Sequence, residues 1–169
     1  GGTGKVRELI WQGALELMSP HAPLWSPTTG DDPFNVIRPL IGYGPESMVV
    51  AFNPFYQPAL AHVEARNASP DRSHNETWDS LVITGLLGFA AYIVLFMSVF
   101  YFGFKWLGVI TSPAERNIFF AVWLAGGLAG AVILGVWRGW QFLGLGLPLG
   151  MVGGAILFLV GIVIKRKPS

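Results

Sequence analysis

The chain of 169 residues contains no cysteine. This absence excludes a disulfide framework, a thiolate metal site and a cysteine nucleophile. Charged residues are also scarce, at 12% of the chain, about half of the roughly 25% found in ordinary globular domains. The net charge of +1 gives no electrostatic basis for a nucleic-acid partner, so we expect none.

The few charges are unevenly placed, because fourteen of the twenty-one lie in residues 1–80. The rest of the chain contains three long apolar runs, at residues 81–107, 118–136 and 142–164. A helix crosses the apolar part of a bilayer with about 20 residues, and one charge at its centre costs about 2.5–3.5 kcal/mol. The sequence therefore predicts an all-α membrane protein with three transmembrane helices.

The distribution of basic residues predicts the orientation of these spans. Lys105 and Arg116 flank the loop between the first two spans, and a basic tail at residues 165–169 follows the third. Only Arg138 lies in the opposite short loop. By the positive-inside rule the C-terminus is cytoplasmic and residues 1–80 lie on the outer face.

The spans are rich in glycine, which we expect to serve close helix packing. The glycines concerned are Gly85, Gly88, Gly126, Gly127, Gly130, Gly150, Gly153 and Gly154.

Residues 1–80 are predicted to form an irregular, partly helical extracytoplasmic loop. Apolar residues recur at helical spacing between Lys5 and Met18, which predicts an amphipathic helix there. Eight prolines from residue 20 to residue 58 then interrupt regular structure. Short helices are predicted only at Glu46–Ala51 and Leu60–Arg66.

Several short sequence patterns are weak evidence for a binding or modification site. The opening GGTGK lacks the spacing and the Ser or Thr of a phosphate-binding loop. The sequons at Asn67 and Asn75 are best explained by chance, and the three histidines show no metal-ligand spacing. Because the chain begins without methionine or a leader pattern, we expect it to be the C-terminal part of a longer protein.

Arg7 and His74 form the pair that is most suggestive of chemistry, since each lies just outside a predicted membrane boundary on the same face. A guanidinium is a permanent cation suited to phosphate oxygens. An imidazole titrates near neutral pH and can accept a proton from an attacking hydroxyl. The structural alternatives are that Arg7 extends to lipid headgroups and that His74 caps a helix beside Asn75.

Three motifs resemble the C-terminal half of the bacterial O-antigen ligase and polymerase family. They are RELIW at residues 7–11, RPLIGYG at 38–44, and SHN at 73–75 leading to GLLG at 85–88. Members of that family are polytopic proteins of the bacterial inner membrane with a large periplasmic loop before the last three spans. The resemblance covers residues 5 to about 100, and the last two spans match only in number and hydropathy.

The resemblance implies a glycosyltransferase that moves a glycan from an undecaprenyl-diphosphate carrier to a glycan, lipid or protein acceptor, without a metal or other cofactor. It implies that Arg7 engages the diphosphate and that His74 helps deprotonate the acceptor hydroxyl. Further substrate contacts are expected from Arg38, Asn75 and the stretch Gly42, Tyr43 and Gly44. A second diphosphate-binding arginine of the family would lie upstream of this chain.

A different class of function competes with the enzyme hypothesis. The chain could be a non-catalytic membrane subunit or a transporter fragment, in which the outer loop binds a ligand. Transporters usually carry ionisable residues within their spans, and these spans carry none before Lys105, which favours the enzyme.

Overall fold

The computed structural model describes residues 2–64 and 70–166. It is 74% helical, and the only sheet within the described residues is a two-stranded antiparallel hairpin. The elements in chain order are α1 (Thr3–Met18), β1 (Trp25–Ser26), β2 (Gly30–Asp31), α2 (Arg38–Ile41), α3 (Met48–Ala51), α4 (Glu76–Trp106), α5 (Pro113–Arg138) and α6 (Leu143–Arg166).

Three of these helices, α4, α5 and α6, are long and apolar enough to cross a membrane. The predicted fold class, an all-α membrane protein with three such helices, is confirmed. The chain divides into two compact units, residues 1–91 and 92–169, and α4 contributes residues to both. Each unit is described separately below.

Helix α1 has the amphipathic character predicted for residues 5–18. It buries Leu9, Ile10, Ala14 and Leu17, which recur at the three- and four-residue intervals of one helical face. A Cβ at Gly13 would overlap the aromatic ring of Phe52. The helix therefore packs its apolar face against protein within the first unit.

The irregular segment after α1 contains only short elements, as the prolines predict. The helix expected at Glu46–Ala51 is observed as α3 (Met48–Ala51). A 3₁₀ helix at Pro58–His62 replaces the start of the helix expected at Leu60–Arg66. The end of that expected helix and the Asn67 sequon lie outside the described residues.

Helix α4 is interrupted at Gly85, where the backbone adopts φ 65° and ψ −171°. The helix that corresponds to the predicted span at residues 81–107 begins earlier, at Glu76, ends at Trp106 and is broken at Gly85. Residues 86–106 after the break still form about 30 Å of helix, enough to cross the apolar part of a bilayer. The spans predicted at 118–136 and 142–164 correspond to α5 and α6, which extend beyond them by a few residues.

Helices α5 and α6 pack closely through facing glycines. A Cβ on Gly150 would overlap the carbonyl of Gly126, and one on Gly146 would overlap the carbonyl of Gly130. The absence of side chains lets the two backbones touch, which is how membrane helices associate without a hydrophobic driving force. The packing role expected for the span glycines is confirmed at Gly126, Gly130 and Gly150, whereas Gly153 has open space around it.

Aromatic side chains fill the core of the second unit near one end of the α5–α6 pair. Phe119 is fully buried and packs edge-on against Phe104 and Phe158, with ring centroids 5.5 and 5.4 Å away. Trp123 is buried one turn further along α5. Edge-to-face contacts of this kind stabilise a core beyond the area that they bury.

A polar cluster at the same end ties the α4–α5 loop to the end of α6. The buried carboxylate of Glu115 accepts hydrogen bonds from the backbone and hydroxyl of Thr111, both at 2.9 Å, and pairs with Lys165 and Arg166. Arg166 also donates to the carbonyl of Gly108 at 2.8 Å. The α4–α5 loop and the end of α6 thus lie at one end of the unit.

Gly150→Leu is expected to disrupt the packing of α5 against α6, whereas Gly153→Leu in the same helix is not. Gly150→Leu forces apart two touching backbones, which costs at least the 1–3 kcal/mol typical of overpacking, or several degrees in Tm. Thermal unfolding of the two variants in detergent measures the difference. Equal melting temperatures for Gly150→Leu and Gly153→Leu would contradict the glycine packing.

Candidate functional site

Arg7 and His74 both lie at the surface of the first unit. Both residues are exposed, and neither side chain makes an ion pair or a hydrogen bond within the described part of the chain. A cation and an imidazole without internal partners remain available to a ligand.

A hydrogen bond connects the two segments that carry these groups. The indole N–H of Trp11 donates to the carbonyl of Ser73 at 2.9 Å, and Ser73 is fully buried. Arg7 precedes Trp11 by four residues, so the two side chains lie about 6 Å apart on the same face of α1. His74 follows Ser73 directly. The structure therefore brings the Arg7 face of α1 to the segment that carries His74.

The backbone of His74 is held in an unusual conformation. Its φ of 54° lies in the left-handed region, which histidine enters more readily than most residues but at a cost of about 1–3 kcal/mol. Hydrogen bonds on both sides fix this conformation. The Ser73 N–H donates to the Asp79 carboxylate at 2.6 Å, and the Ser73 hydroxyl donates to the carbonyl of Asn75 at 2.9 Å.

The cap of α4 is Asn75 and not His74. The Asn75 side-chain oxygen accepts from the backbone N–H groups of Thr77 and Trp78 at 3.1 and 3.2 Å, the pattern of an N-cap. This leaves the imidazole of His74 without a capping role. The contact between Asn75 and substrate stays a prediction, and the structure gives its oxygen a structural role.

Arg72 is a residue that the sequence analysis did not single out. It lines a cleft of about 350 Å³, together with the acidic side chains of Glu46, Asp71, Glu76 and Asp79. Arg72 is exposed and forms no ion pair or hydrogen bond with any described residue. In the sequence, its position two residues before His74 could have indicated it as a candidate site residue.

Arg38 is committed to an internal ion pair. Its guanidinium donates to both carboxylate oxygens of Asp32, at 2.7 and 3.0 Å, and to the carbonyl of Gly42 at 3.1 Å. The hydrogen bond from Arg38 lowers the pKa of Asp32, so this carboxyl is an anion at neutral pH. The substrate contact expected of Arg38 stays a prediction. In the structure Asp32 already neutralises the Arg38 charge.

Tyr43 is anchored by the same cluster. The Arg38 guanidinium lies 5.3 Å from its ring centroid, and the Tyr43 hydroxyl is 2.9 Å from Nε2 of His21 and 3.3 Å from the carbonyl of Leu17. Burial raises the pKa of Tyr43 to about 12. The phenol is therefore protonated at neutral pH and can donate to either partner.

The stretch from Gly42 to Gly44 docks on the interruption in α4. The Tyr43 N–H donates to the carbonyl of Val82 at 2.8 Å, and the Gly44 N–H donates to the carbonyl of Ile83 at 3.0 Å. The last carbonyls before a helix break lack partners within their own helix. The loop backbone supplies these partners.

Two glycines make this contact possible. Gly42 and Gly85 have φ of 75° and 65°, and a Cβ on Gly85 would lie 2.5 Å from the Gly42 nitrogen. A Cβ on Gly42 would overlap the backbone of Ile83. We call this contact the glycine interlock. It gives Gly42 a structural role, and the contact with substrate expected of Gly42, Tyr43 and Gly44 stays a prediction.

Comparisons of the chain with protein-family models, curated proteins and solved structures find no match. Among the described residues, no group of three or more His, Cys, Asp and Glu side chains is placed to hold a metal ion. The functional hypothesis therefore rests on the short motifs and on the geometry around Arg7 and His74.

Gly42→Ala is expected to destabilise the first unit far more than Gly30→Ala. Both glycines have a positive φ, 75° and 71°, so alanine is strained at each, and Gly42 combines its φ with a ψ of −177°, a backbone region that is essentially reserved for glycine. Only Gly42 faces a second backbone, because Gly30 has open space around it. Thermal unfolding followed by tryptophan fluorescence measures both variants. A Gly42→Ala loss no larger than that of Gly30→Ala would refute the glycine interlock.

Proposed function

We propose that the chain is part of a membrane glycosyltransferase of the O-antigen ligase or polymerase type. It would move a glycan from an undecaprenyl-diphosphate carrier to an acceptor hydroxyl. The observation that carries this proposal is the hydrogen bond from Trp11 to Ser73, because it joins the helix of Arg7 to the segment of His74 while both side chains stay unpaired within the described residues.

Arg7 is proposed to bind the diphosphate of the donor. Breaking the bond between the sugar and the diphosphate leaves negative charge on the departing oxygen, and a cation fixed near that oxygen stabilises the transition state. Arg7 suits this role because no described carboxylate neutralises it. Arg38, in contrast, donates to both oxygens of Asp32.

Arg72 is proposed to share this task. It is a second exposed cation without a described partner, and it lies two residues before His74 in the chain. Two arginines can neutralise a diphosphate that one would leave partly charged. Arg72 would then be a second diphosphate-binding cation within this chain, in addition to the arginine expected upstream of it.

His74 is proposed to act as the general base. As the acceptor oxygen forms its bond to the anomeric carbon, the imidazole takes the hydroxyl proton, and the sugar–phosphate bond breaks to release undecaprenyl diphosphate. The hydrogen bonds of Ser73 fix the backbone beside the imidazole. Positioned proton transfer of this kind contributes about 10²–10⁴-fold to a rate.

The site is proposed to lie at the outer face of the bacterial inner membrane, with the C-terminus in the cytoplasm. The distribution of lysine and arginine supports this orientation. The hydrogen bond from Arg166 to Gly108 joins the α4–α5 loop to the end of α6, so the two basic segments would face the same side.

Substitution of Arg7 or His74 in the full-length protein is expected to abolish most glycan transfer. His74→Gly tests the imidazole without added strain, since glycine accepts the left-handed backbone, and a loss of about 10²–10⁴-fold is expected. Arg7→Ala is expected to lose about 10²–10³-fold, as when one transition-state donor is removed. The assay is transfer from lipid-linked donor in isolated membranes.

Two matched variants control for charge and for histidine loss. Lys5→Ala removes a cation of α1 that is paired with Glu8 at 3.3 Å, and His62→Ala removes another exposed histidine. Both are expected to retain activity. Full transfer by Arg7→Ala or His74→Gly would overturn the assigned roles, and a folded protein with no transfer from any lipid-linked donor would favour the non-catalytic alternative.

A further inference from the structure

A second cleft lies in the unit formed by residues 92–169, at the turn from α4 into α5. It has a volume of about 230 Å³ and is lined by Lys105 and Arg116 together with Tyr101, Thr111 and Ser112. The proposed transfer chemistry uses none of these residues. Two cations and three hydroxyls around one cleft make a surface suited to an anion.

Both cations keep their charge available. Lys105 lies 6.0 Å from the ring centroid of Tyr101 and pairs with no carboxylate among the described residues. Within the described residues the guanidinium of Arg116 donates only to the neutral side-chain oxygen of Asn117, at 3.1 and 3.2 Å.

The nearby carboxylate does not cancel these charges. Glu115 is already paired with Lys165 at 3.1 Å and with Arg166 at 3.3 Å. At this end of the unit the described residues therefore carry four cations against one anion. The cleft has an excess of positive charge that no described group neutralises.

One hydroxyl of the cleft is also free to donate. The Ser112 oxygen accepts the backbone N–H of Glu115 at 3.2 Å, but its own O–H has no acceptor among the described residues. The Thr111 hydroxyl is used differently, because it donates to Glu115. Ser112, Lys105 and Arg116 can thus donate together to one phosphate group.

We propose that this cleft binds the phosphate of an anionic phospholipid headgroup. It lies where two helices long enough to cross a membrane end, which is the depth of lipid phosphates. Trp106 and Leu107, beside the cleft, expose 81% and 77% of their surface, as expected for residues at a membrane interface. A soluble phosphate offers the same acceptors but would make no use of this position.

Thermal unfolding of the full protein in a non-ionic detergent tests the proposal. Phosphatidylglycerol is expected to raise the Tm, whereas phosphatidylcholine is not, since its headgroup carries a compensating cation. A basic side chain near an anionic lipid contributes about fivefold to binding. Lys105→Gln with Arg116→Gln is therefore expected to weaken the apparent phosphatidylglycerol affinity by about 25-fold, and Lys105→Arg with Arg116→Lys to retain it.

Arg138→Gln is the matched control, because it removes the same charge at the opposite end of α5. It is expected to leave phosphatidylglycerol binding unchanged. A loss of about fivefold for Arg138→Gln, the share of any one basic side chain near an anionic lipid, would show a general charge effect and overturn the site. A rise in Tm with inorganic phosphate equal to that with phosphatidylglycerol would overturn the assignment to a lipid.

Discussion

The first unit depends on the glycine interlock, in which the backbone of one loop replaces the missing partners of a broken helix. Tyr43 and Gly44 donate to the carbonyls of Val82 and Ile83, where α4 is interrupted at Gly85. A break in an apolar helix is stable only when its freed backbone groups find other partners. The loop meets that need and holds the part of α4 just before the break.

The described arginines of this unit differ in whether they have a partner. Arg38 holds the loop together through Asp32 and Tyr43, so its charge serves the fold. Arg7 and Arg72 are exposed and unpaired within the described residues, so their charge is available for an anionic substrate. The backbone of His74 is held in a strained, left-handed conformation. Such strain persists only where surrounding contacts hold it, and it clusters at functional sites.

The sequence predicted the features that follow from composition and spacing. Three apolar helices, the amphipathic helix α1 and the close packing of span glycines such as Gly150 are local or periodic properties. The interruption at Gly85 could not be predicted, because it lies in an unbroken apolar run and depends on a loop some forty residues earlier. The commitment of Arg38 to Asp32 and the capping by Asn75 were also missed, since each depends on the local path of the chain.

Amide hydrogen exchange at Tyr43 and Gly44 tests the central claim most directly. Both N–H groups belong to an irregular loop, where exchange is ordinarily fast. The glycine interlock predicts strong protection of these two amides, well above that of the Gly30 amide in the short hairpin. Exchange at Tyr43 and Gly44 as fast as at Gly30 would contradict it.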